Sequence, residues 1–260
     1  MSISTRAPRI LAVAVAAFFG LAGPPMVAPA AGQTADELSA QATDPTASLL
    51  AVNLFGTATN SYHDLDESGF ELKFQPVIPF RAFGMPNILR VVAPYQMSGP
   101  GAEGLKDVSI FNLTVFGEEW GRWGVGAVAN LAEGITDRDA QFAFGPAVGG
   151  VYNWSPTVQL GVFNQNLFGD DTAITQIQPI IAYQLGNGWA LSAGDLQFVY
   201  DWEAGSWLQF PLGFQIGLVR PIFGQPMRFS VNPQWNLRDR PGTFESKIVF
   251  GVTLLAPTGG

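Results

Sequence analysis

Segment 207–219 alternates strictly between apolar residues and polar or small residues, and this pattern constrains the fold more than any other feature of the chain. Because successive side chains of a strand point to opposite faces, one face of this segment is wholly apolar and the other carries glutamines, glycines and a proline. That combination is typical of a barrel wall between lipid and a polar lumen. About a dozen residues is also close to the length that a tilted strand needs to cross a bilayer. The apolar positions are Leu208, Phe210, Leu212, Phe214, Ile216 and Leu218.

The same alternation recurs along the chain, and in several segments the polar face includes charged residues in mid-strand. A charged side chain at such a position needs water or a charged partner, and a wet lumen supplies both. The residues predicted to line this lumen are Glu71, Lys73, Gln75, Arg90, Gln176, Gln178, Gln209, Gln215, Arg228, Asn232, Gln234, Glu245 and Lys247. Mixed charges on a narrow wall can form a transverse field or an ion-pair gate.

These segments predict an all-β fold, a transmembrane antiparallel β-barrel of about 12 strands. The connections alternate between short turns and mostly longer acidic loops, as in barrels with short turns on the periplasmic side. The tryptophans lie at or near strand ends, where an interfacial aromatic belt belongs. Gly194 and Asp195 interrupt one alternation and predict a bulge. The predicted strands are 47–58, 69–80, 87–95, 107–116, 122–130, 141–152, 157–166, 174–185, 189–200, 207–219, 226–236 and 243–255.

The first residues have the layout of a secretory signal peptide. Arg6 and Arg9 precede an apolar run over 10–21, and residues 28–30 (Ala-Pro-Ala) form a small-x-small cleavage site. We therefore predict a signal peptide at 1–30, a polar periplasmic segment at 31–46 and an outer-membrane barrel at 47–260. The polar segment contains a short helix signal beginning at Ala35, and we expect it to be a solvated lead-in. The absence of cysteine suits a chain exported through an oxidising periplasm.

The order of several short motifs resembles a known family over nearly the whole mature chain. The motifs are 35–38 (Ala-Asp-Glu-Leu), 44–49 (Asp-Pro-Thr-Ala-Ser-Leu), 74–80 (Phe-Gln-Pro-Val-Ile-Pro-Phe), 123–126 (Trp-Gly-Val-Gly), 145–146 (Gly-Pro), 169–170 (Gly-Asp), 176–179 (Gln-Ile-Gln-Pro), 188–189 (Gly-Trp) and 211–213 (Pro-Leu-Gly). They resemble the bacterial outer-membrane proteins associated with meta-pathway phenol degradation, a group often mislabelled neuromedin U. The resemblance implies an outer-membrane barrel that transports small solutes, with aromatic or hydrophobic compounds as candidates.

Enzyme and cofactor functions find little support in the sequence. His63 is the only histidine, it lies in a polar loop beside Asp64, and no nucleophile elbow, phosphate loop or zinc spacing accompanies it. We therefore expect no catalytic site, no cofactor and no metal, although acidic loops could hold divalent cations. A formal net charge of -8 argues against nucleic acid as a partner.

Two function classes stay open at this point, together with a weaker third. The first is a channel or transporter for small-molecule solutes, inserted into outer-membrane lipid by the barrel assembly machinery. The second is a structural or adhesive barrel with a plugged lumen, because barrels of this size occur both filled and open. The third, a soluble lipocalin-like binder, would need a mostly apolar interior.

Overall fold

The computed structural model describes residues 33–131, 142–169 and 172–257. The expected signal peptide at 1–30 and the acidic loop residues Glu133, Asp137, Asp139, Asp170 and Asp171 lie outside these ranges. Within them, no helix combines the length and the apolar character that a membrane-spanning helix requires.

In the described residues, one helix precedes sixteen strand segments. The helix is α1 (Ala35–Thr43). The strand segments are β1 (Leu49–Tyr62), β2 (Gly69–Ala82), β3 (Met85–Ser98), β4 (Gly104–Leu105), β5 (Val108–Glu118), β6 (Gly121–Leu131), β7 (Phe142–Ser155), β8 (Val158–Gly169), β9 (Thr172–Gly186), β10 (Trp189–Ser192), β11 (Phe198–Asp201), β12 (Ser206–Gln209), β13 (Pro211–Gly213), β14 (Gln215–Ile222), β15 (Gln225–Asn236) and β16 (Phe244–Pro257).

The strands form a closed antiparallel barrel of 12 wall strands, as the alternation predicts. Three wall strands are built from more than one segment: β4 with β5, β10 with β11, and β12 with β13 and β14. Neighbours in sequence pair with each other around the wall, β9 pairs with β10, and β10 pairs with β14. The last strand returns to the first, because β16 pairs with β1 from Leu49↔Pro257 to Tyr62↔Phe244. No edge is left open between the ends of the chain.

The two ends of the barrel differ in their connections. At one end, two-residue turns join β2 to β3, β5 to β6, β7 to β8, β9 to β10 and β14 to β15. Three of these turns, at 83–84, 187–188 and 223–224, have positive φ at both residues, the conformation that favours tight hairpins. At the other end the loops at 63–68 and 237–243 are longer. We call these the short-turn end and the long-loop end.

Segment 207–219 has the two faces that its sequence predicts. Phe214 is 44% exposed on the outer surface, whereas the adjacent Gln215 is 6% exposed and faces the interior. The outer surface of the whole barrel carries large apolar side chains that protein does not cover, among them Leu54, Val148, Ile181, Val231 and Phe250. The apolar face therefore points away from the protein, which is the reverse of a soluble sandwich.

The predicted strand 189–200 is wrong as a continuous strand. β10 pairs with β14 as far as Ser192↔Gln215, and β11 resumes pairing with β12 at Val199↔Gln209. Residues 193–197 between them leave the sheet and fold inward, further than a simple bulge would take them. Gly194 allows this departure because its φ of 70° is one that residues with side chains rarely adopt.

Four prolines of the wall lie where one of their two ladders is interrupted. Between β2 and β3 the paired positions jump from Phe74↔Ala93 to Val77↔Arg90, and Pro76 lies in this gap. Pro146 lies in the corresponding gap between β7 and β8. Pro179 faces the break between β10 and β11, and Pro233 faces the break between β13 and β14. Because proline lacks an N–H donor, a continuous ladder at these sites would leave a carbonyl oxygen of the neighbouring strand without its donor, and the gaps avoid this mismatch.

The helix signal at residue 35 is confirmed, but the expectation of a solvated lead-in is wrong. Thr34 caps α1 in a capping box with Glu37, and the helix ends at Thr43. Leu38 and Ser39 are 3% and 0% exposed, so α1 is packed against protein. The reason is its apolar side, which joins a cluster with Leu49, Val219 and Leu255 at the short-turn end of the barrel interior.

Closure of the barrel can be tested with an engineered disulfide, since the native chain has no cysteine to compete. Ala58 on β1 lies directly opposite Ile248 on β16. Opposed residues of an antiparallel pair fall within the Cα separation that a disulfide requires. We expect Ala58→Cys with Ile248→Cys to oxidise nearly completely and to give a mobility shift on denaturing gels. The control pair, Ala58→Cys with Phe250→Cys, is displaced by two residues and should remain reduced. Equal oxidation of both pairs would contradict the register.

A charged cavity inside the barrel

The barrel interior has an apolar half and a polar half. Side chains from β3 and from β5 to β9 form one apolar cluster, in which Phe111 and Phe163 pack edge to face with ring centroids 5.0 Å apart. This cluster fills its part of the lumen, and the sequence alternation did not predict it. The polar half is lined mainly by β1, β2, β15 and β16, together with the inward segment 193–197.

A cavity of about 460 Å³ occupies the polar half. Its lining begins at Gln41 to Thr43 in the last turn of α1 and reaches Tyr62, Gln96 and Thr243 at the long-loop end. The cavity therefore extends along much of the barrel axis, and α1 covers the part of the cavity at the short-turn end. This volume is in the range of small-molecule binding sites.

Most of the residues predicted to line the lumen do lie around this cavity. They are Glu71, Lys73, Gln75, Arg90, Gln178, Gln209, Gln215, Arg228, Asn232, Gln234 and Lys247. Gln176 is half-buried further along β9 and is not part of the lining. Glu245 is exposed, and this part of the prediction is wrong.

A bulge in β16 explains the placement of Glu245. The pairing between β1 and β16 shifts so that Ser61 opposes Ser246 while Tyr62 opposes Phe244, which leaves Glu245 without a partner. On the side of the bulge nearer the long-loop end, the extra residue exchanges the inward-facing and outward-facing positions of β16. Phe244 is consequently buried at 6% exposure and lines the cavity in place of Glu245.

One ion pair crosses the cavity. The Lys73 ammonium of β2 donates to Asp195 of the inward segment, with 2.8 Å between Nζ and Oδ2. Asp195 also lies close enough to Arg90 and Lys247 to interact with their charges, and Glu71 interacts with Lys73 and Lys247. The pair ties residues 193–197 to the opposite wall and narrows the lumen at this level. Asp195 was missed in the sequence because it sits in an interrupted alternation, and the bulge signal beside it was the available clue.

Lys73 of this pair and the two cations beside it each lie against an aromatic ring. Lys73 is 5.0 Å from the Phe55 centroid, Arg90 is 5.2 Å from the Phe111 centroid, and Lys247 is 3.8 Å from the Phe244 centroid. The negative ring faces stabilise these partly desolvated charges. The cavity therefore combines cationic groups with apolar surface.

Arg228 connects the wall to α1. Its Nη2 donates to Gln215 Oε1 at 2.7 Å, and its Nη1 donates to the backbone oxygen of Ala42 at 3.4 Å. Gly217 makes room for the guanidinium, because a Cβ at that position would lie 2.8 Å from Arg228 Nε. Both Nη atoms of the guanidinium thus donate to protein acceptors.

A buried carboxylate anchors the chain where it leaves α1. Asp44 is 5% exposed; its Oδ1 accepts from the Thr46 backbone N–H at 2.8 Å, and its Oδ2 accepts from Arg122 Nη2 at 2.5 Å. Asp36 Oδ1 accepts from the Gly188 N–H in a short turn at 2.5 Å, and Thr43 bonds to Gln159. These contacts hold α1 inside the barrel mouth. Asp44 with Arg122 was missed because the two are 78 positions apart in sequence.

His63 ties two loops together at the long-loop end. Its Nδ1 lies 3.3 Å from Asp239 Oδ1, and its Nε2 lies 3.3 Å from the backbone oxygen of Asn236. The ring therefore lies between oxygen atoms of Asp239 and of the end of β15. Among residues 33–131, 142–169 and 172–257, no group of three or more candidate ligands could hold a metal ion.

No protein-family model matches the chain, and no curated protein matches it. Among solved structures it is similar to the KdgM porin, with a TM-score of 0.49, 9% identity, and coverage of 78% of this chain and 98% of that chain. It is also similar to outer membrane phospholipase A from Escherichia coli, with a TM-score of 0.44, 11% identity, and coverage of 80% and 96%. The resemblance to the phenol-degradation group remains a hypothesis.

The anchoring of α1 can be tested by removing the partner of Asp44. We expect Arg122→Gln to lower the free energy of opening of α1 by about 3–5 kcal/mol, the cost of leaving a buried carboxylate without its counter-ion. The effect should fall near the lower value because the Arg122 side chain is 34% exposed. Amide hydrogen exchange in α1 would measure it. Arg81→Gln is the matched control, since Arg81 lies at the same end and bonds only within its own turn. Unchanged exchange in Arg122→Gln would contradict the anchoring role.

Proposed function

We propose that the protein is a bacterial outer-membrane barrel that acts as a channel for small solutes. The observation that carries this proposal is a charged cavity enclosed by a closed barrel whose outer surface is apolar. Lipid is the environment that suits such an outer surface, and closure leaves no backbone group unpaired at an edge.

The tryptophans support a membrane location. Trp120, Trp154 and Trp189 are exposed near the short-turn end, and Trp202 and Trp235 are exposed near the long-loop end. Two belts of amphipathic rings with an apolar band between them are what membrane–water interfaces select. By the usual orientation of such barrels, the short turns face the periplasm.

A plugged structural barrel is the second candidate. It is favoured by α1, which covers the cavity at the short-turn end, and by the apolar cluster, which fills the other half of the lumen. The two candidates differ in whether α1 moves. Its attachment through a few polar contacts and a small apolar patch supports a helix that can be displaced, and we propose that the structure represents the closed state of the channel.

Planar-bilayer conductance of the full-length protein tests this proposal. We expect the wild-type protein to show rare openings and Arg122→Gln to open much more often, because its α1 is less firmly held. Arg81→Gln should behave like the wild-type protein. A barrel that is fully assembled by heat-modifiability gels, yet gives neither conductance nor liposome swelling as wild type or as Arg122→Gln, would defeat the channel and favour the structural barrel.

Aromatic or hydrophobic compounds stay candidate solutes on the resemblance alone. Swelling assays with neutral aromatic and neutral sugar solutes of similar size would compare them. Faster entry of the aromatic solute supports that substrate class, and equal entry argues against it.

A further inference from the structure

We propose that the cavity binds small organic monoanions, molecules with one carboxylate on an apolar body. This inference deepens the proposed channel function by naming the class of solute that the lumen selects. It rests on the charges, the unpaired donors and the apolar surfaces of the cluster formed by Lys73, Arg90, Lys247, Asp195 and Glu71.

The charges of this cluster do not cancel. Lys73 and Asp195 neutralise each other in the ion pair that crosses the lumen. Of the remaining members, Arg90 and Lys247 are cationic and Glu71 is anionic, so three cations face two carboxylates and one positive charge is in surplus. A surplus of one charge in a site with limited access to solvent favours one monovalent anion.

Two of the cations also have unused donors. Within the part of the chain that the structure describes, neither the Arg90 guanidinium nor the Lys247 ammonium forms an ion pair, and their recorded partners are the rings of Phe111 and Phe244. The Arg90 Nε is buried without a hydrogen-bond partner among those residues. Since buried donors are nearly always paired, the unpaired state points to an acceptor that a ligand supplies. The Nε of Arg228 is also buried without a partner among the described residues, but it lies against Gly217 of the wall, and both Nη atoms of Arg228 already donate to amide and carbonyl oxygens.

The surroundings of these donors define the rest of the ligand. Phe55, Phe244, Val77 and Ile180 line the same cavity and present apolar surface beside the cations. An inorganic anion would leave this surface wet, whereas an apolar body would cover it while the carboxylate meets Arg90 and Lys247. The cavity volume of about 460 Å³ accommodates a single ring or a short chain.

Fluorine NMR of para-fluorobenzoate with the full-length protein in detergent micelles tests the inference without requiring conduction. We expect saturable binding, with the neutral para-fluorobenzamide weaker by roughly tenfold or more, because a charged hydrogen bond is lost. Arg90→Gln and Lys247→Gln should each weaken para-fluorobenzoate by roughly tenfold or more. Arg90→Lys keeps the charge and should restore part of the affinity. Arg220→Gln, on an exposed position of β14, should have no effect.

The possible results separate this inference from the channel proposal. Equal binding of the acid and the amide, or full affinity in both glutamine variants, would overturn the anion site. Conductance without para-fluorobenzoate binding would also overturn it and leave the channel standing. Selective binding to a barrel that never conducts would support the site and overturn the channel. Heat-modifiability gels establish that each variant is folded before it is compared.

Discussion

The hydrogen-bonded ladder between β1 and β16 joins the two ends of the sheet, and the division into an apolar outside and a polar inside depends on it. In an open sheet, each face would meet the same solvent. Closure separates the faces, because every second side chain now points into an enclosed space. Thr57 and Leu54 illustrate the result on one strand, since the first lines the cavity and the second is 51% exposed on the outer surface.

An enclosed polar face has to satisfy its own hydrogen bonds, and this requirement accounts for much of the interior. Thr253 donates to Asn53 at 2.8 Å, Asn53 donates to the Gln75 backbone oxygen at 2.8 Å, and Asn232 donates to the Phe214 backbone oxygen at 2.7 Å. Two non-strand elements, α1 and the inward segment 193–197, supply further partners. Both enter the lumen, and both are held by a carboxylate that pairs with a wall cation. The lumen is thus narrowed by α1 and by segment 193–197, each of which is held to the wall by one ion pair and a few hydrogen bonds.

The local pattern predicted the wall well because residues such as Phe214 and Gln215 reveal their faces through period-two alternation alone. Most of the polar residues on the other face of this alternation line the cavity. It failed at Glu245, where one extra residue in β16 inverts the faces, and no sequence signal marked that bulge. Contacts between residues that are far apart in the sequence could not be predicted from the local pattern either. The contact of Asp44 with Arg122 depends on how α1 enters the barrel, and the apolar cluster around Phe163 depends on which strands face each other across the lumen.

In the proposed membrane barrel, the apolar face of the wall meets lipid while the polar face meets a water-filled cavity. Nitroxide labels on single cysteines at each of residues 54–59 of β1, in the full-length protein in lipid bilayers, test it most directly. We expect oxygen, which concentrates in lipid, to relax the labels at 54, 56 and 58 most strongly. A water-soluble nickel complex should act mainly at 55, 57 and 59. Strong relaxation by the nickel complex at 54, 56 and 58, or no alternation at all, would contradict this division into a lipid face and a water face.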